Sequence, residues 1–178
     1  MSIYWFRRDL RLQDNTALFH ALNSGYPVLP IFIFDEAILG ELPKDDPRVS
    51  FIYETLKKIN DSLNKGESSL YVKKGSTTTI WEELLNKFNV KKVFFNEDYE
   101  PYAMNRDAQI TELCLKNSVE VQSFKDQVIF ETNEVVKSDG TPYKVYTPYS
   151  KKWIAALEND PIKKYFSLLI CFTKNLNF

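Results

Sequence analysis

Ser2-Ile3-Tyr4-Trp5-Phe6-Arg7-Arg8-Asp9-Leu10-Arg11-Leu12-Gln13-Asp14-Asn15 is the stretch that decides how the rest of the chain is read. From Ile3 to Phe6 it is an apolar run rich in β-branched and aromatic side chains, the composition of a strand buried on both faces. At Arg7 the run breaks. Three guanidinium groups and one carboxylate follow within five residues, Arg7, Arg8, Asp9 and Arg11. Ions at that density do not continue into an apolar interior, so the chain is expected to surface there. Two roles fit such a loop. It is a solvated turn fixed by an internal Arg–Asp pair, or it is one wall of a ligand crevice at the carboxyl end of a first parallel strand.

Downstream, strand and helix patterns alternate. Asp14 or Asn15 can cap a helix carrying Ala17, Leu18, Ala21 and Leu22 at helical spacing, with Gly25 ending it. Residues 27–34 are almost wholly apolar and read as a central strand covered on both faces. Asp46-Pro47 supplies an N-cap and a helix-compatible first residue. Val49, Ile52, Leu56, Ile59 and Leu63 then draw one apolar stripe down to Gly66. Leu70 to Val72 is a third short strand. Over 77–89, Ile80, Trp81, Leu84, Leu85 and Phe88 mark an amphipathic helix in which Trp81 is a core residue. Val93-Phe94-Phe95 is a fourth strand, ending in the polar run Asn96-Glu97-Asp98-Tyr99-Glu100. A helix over about 101–117 and a fifth strand over 119–124 complete the series. This order predicts an α/β fold: an open parallel sheet of about five strands with helices on both faces and right-handed crossovers. Strand order is not written in the pattern.

After Phe124 the pattern changes. Asp139-Gly140 signals a turn between Val135-Val136 and residues 143–146, a small hairpin or an ordered excursion. Thr147-Pro148 can start a helix carrying Trp153, Ile154 and Leu157. Residues 166–172, FSLLICF, are strongly apolar but too short to cross a bilayer.

A chain of 178 residues suits one such domain and buries about two-thirds of its unfolded surface. Lys and Arg total 23 against 24 Asp and Glu, a balance that marks neither a nucleic-acid-coating nor a membrane-coating protein. Lys144, Lys151 and Lys152 near Trp153 read as a solvated face. Cys114 and Cys171 are too few for a disulfide framework or a zinc ribbon, and no export signal opens the chain. The Asn60-Asp61-Ser62 sequon therefore carries no weight, and a cytoplasmic, non-membrane location is expected.

Several chemistries lack their residues. The five glycines, at 25, 40, 66, 75 and 140, include no G-x-G spacing, which excludes a glycine-rich phosphate cradle. His20 is the lone histidine and lies mid-helix, so neither a triad nor a zinc or non-haem iron site is expected. Asp98 and Glu100, two apart on a strand extension, point to one side and could serve a common ligand. Equally, they could be a polar loop favouring the start of the helix at Pro101, an effect worth about 0.3–1 kcal/mol.

Residues 5–15 (WFRRDLRLQDN) resemble the opening signature of the DNA photolyase/cryptochrome family. Three further stretches agree in order and spacing: 27–35 (PVLPIFIFD), 96–107 (NEDYEPYAMNRD) and 140–153 (GTPYKVYTPYSKKW). The resemblance implies a Rossmann-like sheet with the first strand near its centre. It also implies an antenna-chromophore-binding α/β domain over 1–130, then a connecting hairpin and helix with the start of an interdomain linker over 131–178. In the family a following all-helical domain holds the catalytic FAD and the DNA lesion. That domain needs roughly two hundred more residues and is absent from this chain.

Carried over by motif, the positions facing the antenna are Arg8, Asp9, Phe32, Asp35, Arg48, Asp98 and Glu100. Phe32 offers a ring face, the two arginines offer charge-assisted donors, and the carboxylates accept from ring N–H or ribityl hydroxyls. Folate-binding members place an Asn-Glu pair where this chain has Tyr102 and Ala103. The Asp-x-Glu-Pro-Tyr pattern at Asp98 to Tyr102 instead resembles members that use a deazaflavin or a flavin, so a deazaflavin or FMN is favoured over reduced folate, with an empty site the third case.

The function implied is the amino-terminal antenna domain of a deoxyribodipyrimidine photolyase, in which excitation passes to FAD and the flavin's electron splits a cyclobutane dimer. No catalytic residue, no metal, no repair and little or no DNA binding are expected of these residues alone. A cryptochrome-type photoreceptor domain, or a free-standing Rossmann-like interaction module without chromophore, are the alternatives.

Overall fold

The computed structural model describes residues 1–131 and 133–159. Its elements run β1 Ser2–Phe6, α1 Thr16–Leu22, β2 Val28–Asp35, α2 Glu36–Leu39, α3 Pro47–Asn64, β3 Tyr71–Gly75, α4 Thr77–Lys87, β4 Lys92–Asn96, α5 Pro101–Lys116, β5 Glu120–Phe124 and α6 Tyr146–Asn159. All five strands are parallel, in the order β3-β2-β1-β4-β5, with β1 at the centre. The expected Rossmann-like sheet is therefore the fold observed. Pro30 has no N–H to donate, and it stands one residue before pairing with β3 begins at Ile31↔Tyr71, so no ladder bond is lost to that neighbour.

Alternation along β1 divides the core. Tyr4 and Phe6 lie with Phe32 and Phe94 against Ala17, Leu18 and Ala21 of α1 and Leu56, Ile59 and Leu63 of α3. Ile3 and Trp5 lie with Ile31, Val93 and Phe95 against Ile80, Trp81 and Leu84 of α4 and Ile110 and Cys114 of α5. Trp81 meets Trp5 edge to face at 5.3 Å between centroids and is fully buried. An aromatic pair of this kind adds about 0.5–1.5 kcal/mol to the burial itself.

Caps fix where the helices begin. Asn15 caps α1, its side chain accepting from Leu18 N, and Asp46 caps α3 ahead of Pro47. β3 runs further than its apolar residues foretell, through Lys73 and Lys74 to Gly75, because an edge strand needs only one covered face. Gly75 adopts φ +154, and a Cβ there would meet Ile80 Cδ1 at 3.3 Å. Helix α2 has no counterpart in the sequence reading.

Of the two readings of 135–146, the ordered excursion is the one seen: Lys137 N donates to Thr141 O and Gly140 N to Lys137 O, a closed turn at Asp139-Gly140 without a ladder. One expectation is corrected. The loop after β1 does surface, but Arg7 turns back inward with its side chain 6% exposed. It pairs with Asp107 and lies 4.7 Å from the Phe95 centroid, so the charge is neutralised inside rather than solvated. The apolar stretch 166–172 lies outside the described residues.

Candidate functional site

The chain winds outward from β1 through β2 to β3, then crosses back to lay β4 and β5 on the other side. The crevice beyond the carboxyl ends of β1 and β4 is thus the topological switch point, where open α/β sheets bind ligands.

A polar network lies at its base. Tyr4 Oη donates to Asp9 Oδ2 at 2.7 Å and accepts from Asn15 Nδ2 at 2.7 Å. Asn96, the last residue of β4, donates from Nδ2 to Asp9 Oδ2 at 2.5 Å and to Asn15 Oδ1 at 3.0 Å, while its Oδ1 accepts from Ala17 N at 2.9 Å. Arg7 N completes Asp9 by donating to Oδ1 at 2.9 Å. Beside this, Asp126 accepts from Thr16 N and Thr16 Oγ1, both at 2.9 Å, and from Arg11. Burial pushes the Tyr4 phenol well above its usual range, and the neighbouring Asp9 carboxylate adds to the effect, so the tyrosine stays a neutral donor. Asp9 is therefore consumed by the fold: four donors meet its two oxygens.

Above the network the two loops meet. Arg8 Nη1 donates to Glu100 at 2.5 Å and lies 3.6 Å from Asp98 Oδ1. Asp98 also accepts from Glu100 N at 3.2 Å, which folds the loop after β4 toward Arg8. Burial opposes the Arg8 charge, but Glu100 and Asp98 outweigh it and raise its pKa. The hollow here holds about 590 Å³ and is walled by Arg8, Asp9, Arg11, Glu97, Asp98 and Asp126 among others, within the range of about 300–1,000 Å³ usual for ligand clefts.

A second cluster occupies the carboxyl end of β2. Asp35 caps α2 by accepting from Ala37 N at 3.0 Å on Oδ1. Its Oδ2 accepts from Thr77 Oγ1 at 2.9 Å and from Tyr102 Oη at 2.6 Å. Burial, followed by the bond to Asp35, pushes the Tyr102 phenol up to about 12. The hollow beside it is smaller, about 260 Å³, with Thr78, Asn105, Arg106 and Gln109 on its wall.

Of the seven positions carried over by motif, Arg8, Asp98 and Glu100 converge, with Asp9 beneath them. Asp35 stands at the second cluster. Phe32 is 7% exposed and edge-on to Phe34 within the α1/α3 side of the core, so its ring face is turned to packing, against the expectation of an open stacking surface. Arg48 folds back on its own helix cap, Nε and Nη2 donating to Asp46, and this holds the Asp46 carboxyl down at about 2. His20 lies in α1, stacked on Phe124 at 4.3 Å. Tyr4, Asn96, Asp126, Thr77 and Tyr102 were missed as members of the site. Asn96 and Tyr102 lie within the quoted motif 96–107 and Tyr4 one residue before the motif 5–15, the only signal that could have raised them; Asp126 and Thr77 lie in none.

Among the described residues no helix is long and apolar enough to cross a membrane, and no group of three His, Cys, Asp or Glu side chains could hold a metal ion.

Comparison with known proteins gives a consistent result. The family profile described as DNA photolyase matches residues 2–165. The deoxyribodipyrimidine photo-lyase of Alkalihalophilus pseudofirmus is 32% identical over 166 residues, covering 90% of this chain and 34% of its own. The class III photolyase of Agrobacterium tumefaciens superposes with a TM-score of 0.83 at 27% identity, over 98% of this chain and 35% of that one. An archaeal photolyase of Sulfolobus tokodaii, solved with two FAD molecules and described as implying a novel light-harvesting cofactor, superposes at 0.69 with 29% identity, over 85% of this chain and 34% of that one. Cryptochromes stand among the relatives too. The chain spans about a third of the length of the curated photolyases it matches.

Proposed function

The chain belongs to the DNA photolyase family, and from that premise we propose that these residues are the antenna-chromophore-binding domain of a deoxyribodipyrimidine photolyase. The single observation that carries the reading is the meeting of Arg8 with Asp98, both on the wall of the switch-point hollow, and with Glu100 beside it. Loops after the first and fourth strands, some ninety residues apart, bring a charge-assisted donor and two carboxylate acceptors to one rim. That set complements a flat ring bearing carbonyls, an imide N–H and a polyol chain. Arg8 donates to ring carbonyls, Asp98 and Glu100 accept from N–H and hydroxyls, and the Tyr4–Asp9–Asn96 network holds both loops in place.

A deazaflavin or FMN fits this set better than a reduced folate. Ala103 has no side-chain acceptor and is buried, and Tyr102, at the other position of the folate-holding pair, has its hydroxyl engaged with Asp35. The Sulfolobus photolyase, solved with two FAD molecules and described as implying a novel light-harvesting cofactor, supports a flavin in the antenna role. When bound, the antenna absorbs a near-ultraviolet or blue photon and hands its excitation to the catalytic FAD of the helical domain. The residues described here place the pigment; lesion chemistry, DNA and the partner helical domain belong to the rest of a full-length photolyase.

The test is spectroscopic. The absorbance of the protein as purified is recorded, and the protein is then titrated in parallel with a deazaflavin, FMN and a reduced folate. Saturable binding of one of the first two, weakened at least tenfold in Arg8→Ala, is the expected result. Failure of all three to bind, or light-driven dimer reversal by this chain alone, overturns the reading.

A further inference from the structure

Resting on the antenna reading above, we propose that Tyr102 is the gate of that site. Its hydroxyl occupies Asp35, and a flat pigment's N–H or hydroxyl reaches this carboxylate by taking the place of the phenol.

The geometry at Asp35 carries the inference. Oδ1 is committed to the N-cap of α2, and Oδ2 receives two hydroxyls, Thr77 at 2.9 Å and Tyr102 at 2.6 Å. A carboxylate oxygen has two lone-pair directions, so a further donor to Oδ2 must displace one of these hydroxyls. Thr77 is buried and fixed at the first residue of α4, whereas Tyr102 is 46% exposed. The phenol is the partner able to leave, because water can take over its hydrogen bond and its ring is held by the Arg106 guanidinium only at 5.9 Å from the centroid.

Three further features separate a gate from a simple tie. Tyr102 lies in the first turn of α5, two residues after Glu100, the residue that receives Arg8. Glu100 stands at the N-cap of α5 yet makes no side-chain capping bond, so its carboxylate faces Arg8 and the turn bearing Tyr102 is not clamped by a cap. The hollow at Asp35 holds about 260 Å³ with the phenol in place, just under the usual lower bound of about 300 Å³ for ligand clefts. Rotation of the ring outward adds its own volume to that space. The contact joins α5, which follows β4, to the end of β2, and β1 lies between those two strands. Opening it frees an acceptor at the carboxyl end of β2, the same end of the sheet as the Arg8–Asp98–Glu100 rim. A ligand with donors at both ends of its ring system gains from the exchange; one with a single donor does not.

Calorimetric titration of FMN into the wild-type protein and Tyr102→Phe tests this. A gate predicts FMN binding about fivefold tighter in Tyr102→Phe, since the ligand no longer competes with the hydroxyl. A tie that only supports the fold predicts equal or weaker binding, and that result overturns the gate while leaving the antenna reading standing. Binding of FMN by neither protein overturns the gate, and the antenna reading falls with it only if a deazaflavin and a reduced folate also fail to bind. A second readout does not depend on the variant's folding: with FMN bound, the tyrosine that ionises near 12 in the free protein should titrate nearer its ordinary value of about 10. A phenol that stays near 12 in the complex refutes displacement.

Discussion

Two polar clusters stand at the same edge of the sheet, and they are built to opposite specifications. At the β1/β4 junction, Tyr4, Asp9, Asn15 and Asn96 satisfy one another with every strong donor directed inward, and three of the four are buried. At the end of β2, Asp35 is held by one buried hydroxyl and one half-exposed phenol. The first cluster locks two loops together; the second leaves an acceptor that can be traded. A ligand site needs both, because charged groups must be held in register by something the ligand does not compete with. The junction is the frame that holds the loops carrying Arg8, Asp98 and Glu100; in the antenna reading proposed above, these groups and Asp35 at the end of β2 are the ones that meet the pigment.

The comparison is broken most severely at Asn96. Asn96→Leu removes the acceptor for Ala17 N and two donors to Asp9 and Asn15, leaving a buried backbone N–H without its acceptor and the buried Asn15 amide oxygen short of a donor. Loss of about 2–4 kcal/mol is expected in urea unfolding, the sum of one unpaired buried donor and two lost hydrogen bonds. Tyr4→Phe removes one donor to Asp9 and one acceptor from Asn15, and about 1–3 kcal/mol should be lost. If either substitution costs no more than an exposed one, the junction is not the frame. Arg8→Ala sits at the other extreme. With Arg8 51% and Glu100 56% exposed, the pair contributes at most about 1 kcal/mol to stability, so the melting curve should barely move while flavin binding falls at least tenfold.

The contrast also explains which features were legible in the sequence. Strands β1, β2 and β4 are apolar runs, and the stripe from Val49 to Leu63 behind Asp46-Pro47 has one structural meaning, so those elements emerge as expected; the central place of β1 came from the family resemblance, because strand order is not written in the pattern. Which face a central strand turns to which helix is not encoded, because both faces are apolar. That is why Phe32, read as a ring open to ligand, belongs with Tyr4 and Phe94 inside. Arg7 illustrates a second limit. Local sequence shows a cluster of charges, and only the fold brings Asp107, a hundred residues on, to bury one of them. Helix α2 is a single turn held by the Asp35 cap, too short for any periodicity. The convergence of Arg8 with Asp98 and Glu100 came from motif order, not from pattern; Tyr102 went unnoticed as a partner of Asp35 because its hydrogen bond spans the end of an intervening strand.

The gentlest way to sharpen the comparison is alkaline titration, since each cluster contains one tyrosine with a raised pKa. Both phenols are needed neutral, as donors to a carboxylate, so the folded protein binds their protons more tightly than the unfolded chain does. Stability from each is complete below the unfolded value near pH 10 and declines as pH rises through the folded value. For Tyr102 that value is about 12, and its exposure lets it ionise while the protein remains folded. Burial raises Tyr4 well above its ordinary value, and the ring is sealed from water, so its proton leaves only as the junction opens. Absorbance at the phenolate band, followed alongside circular dichroism, should therefore show a reversible step near 12 that disappears in Tyr102→Phe without loss of helix signal. Ionisation of Tyr4 should coincide with loss of that signal, and Tyr4→Phe should lose the same phenolate amplitude from the unfolding step. Were the two tyrosines to titrate together, the sealed and the tradable cluster would be one cooperative unit, and the division between frame and gate would fail.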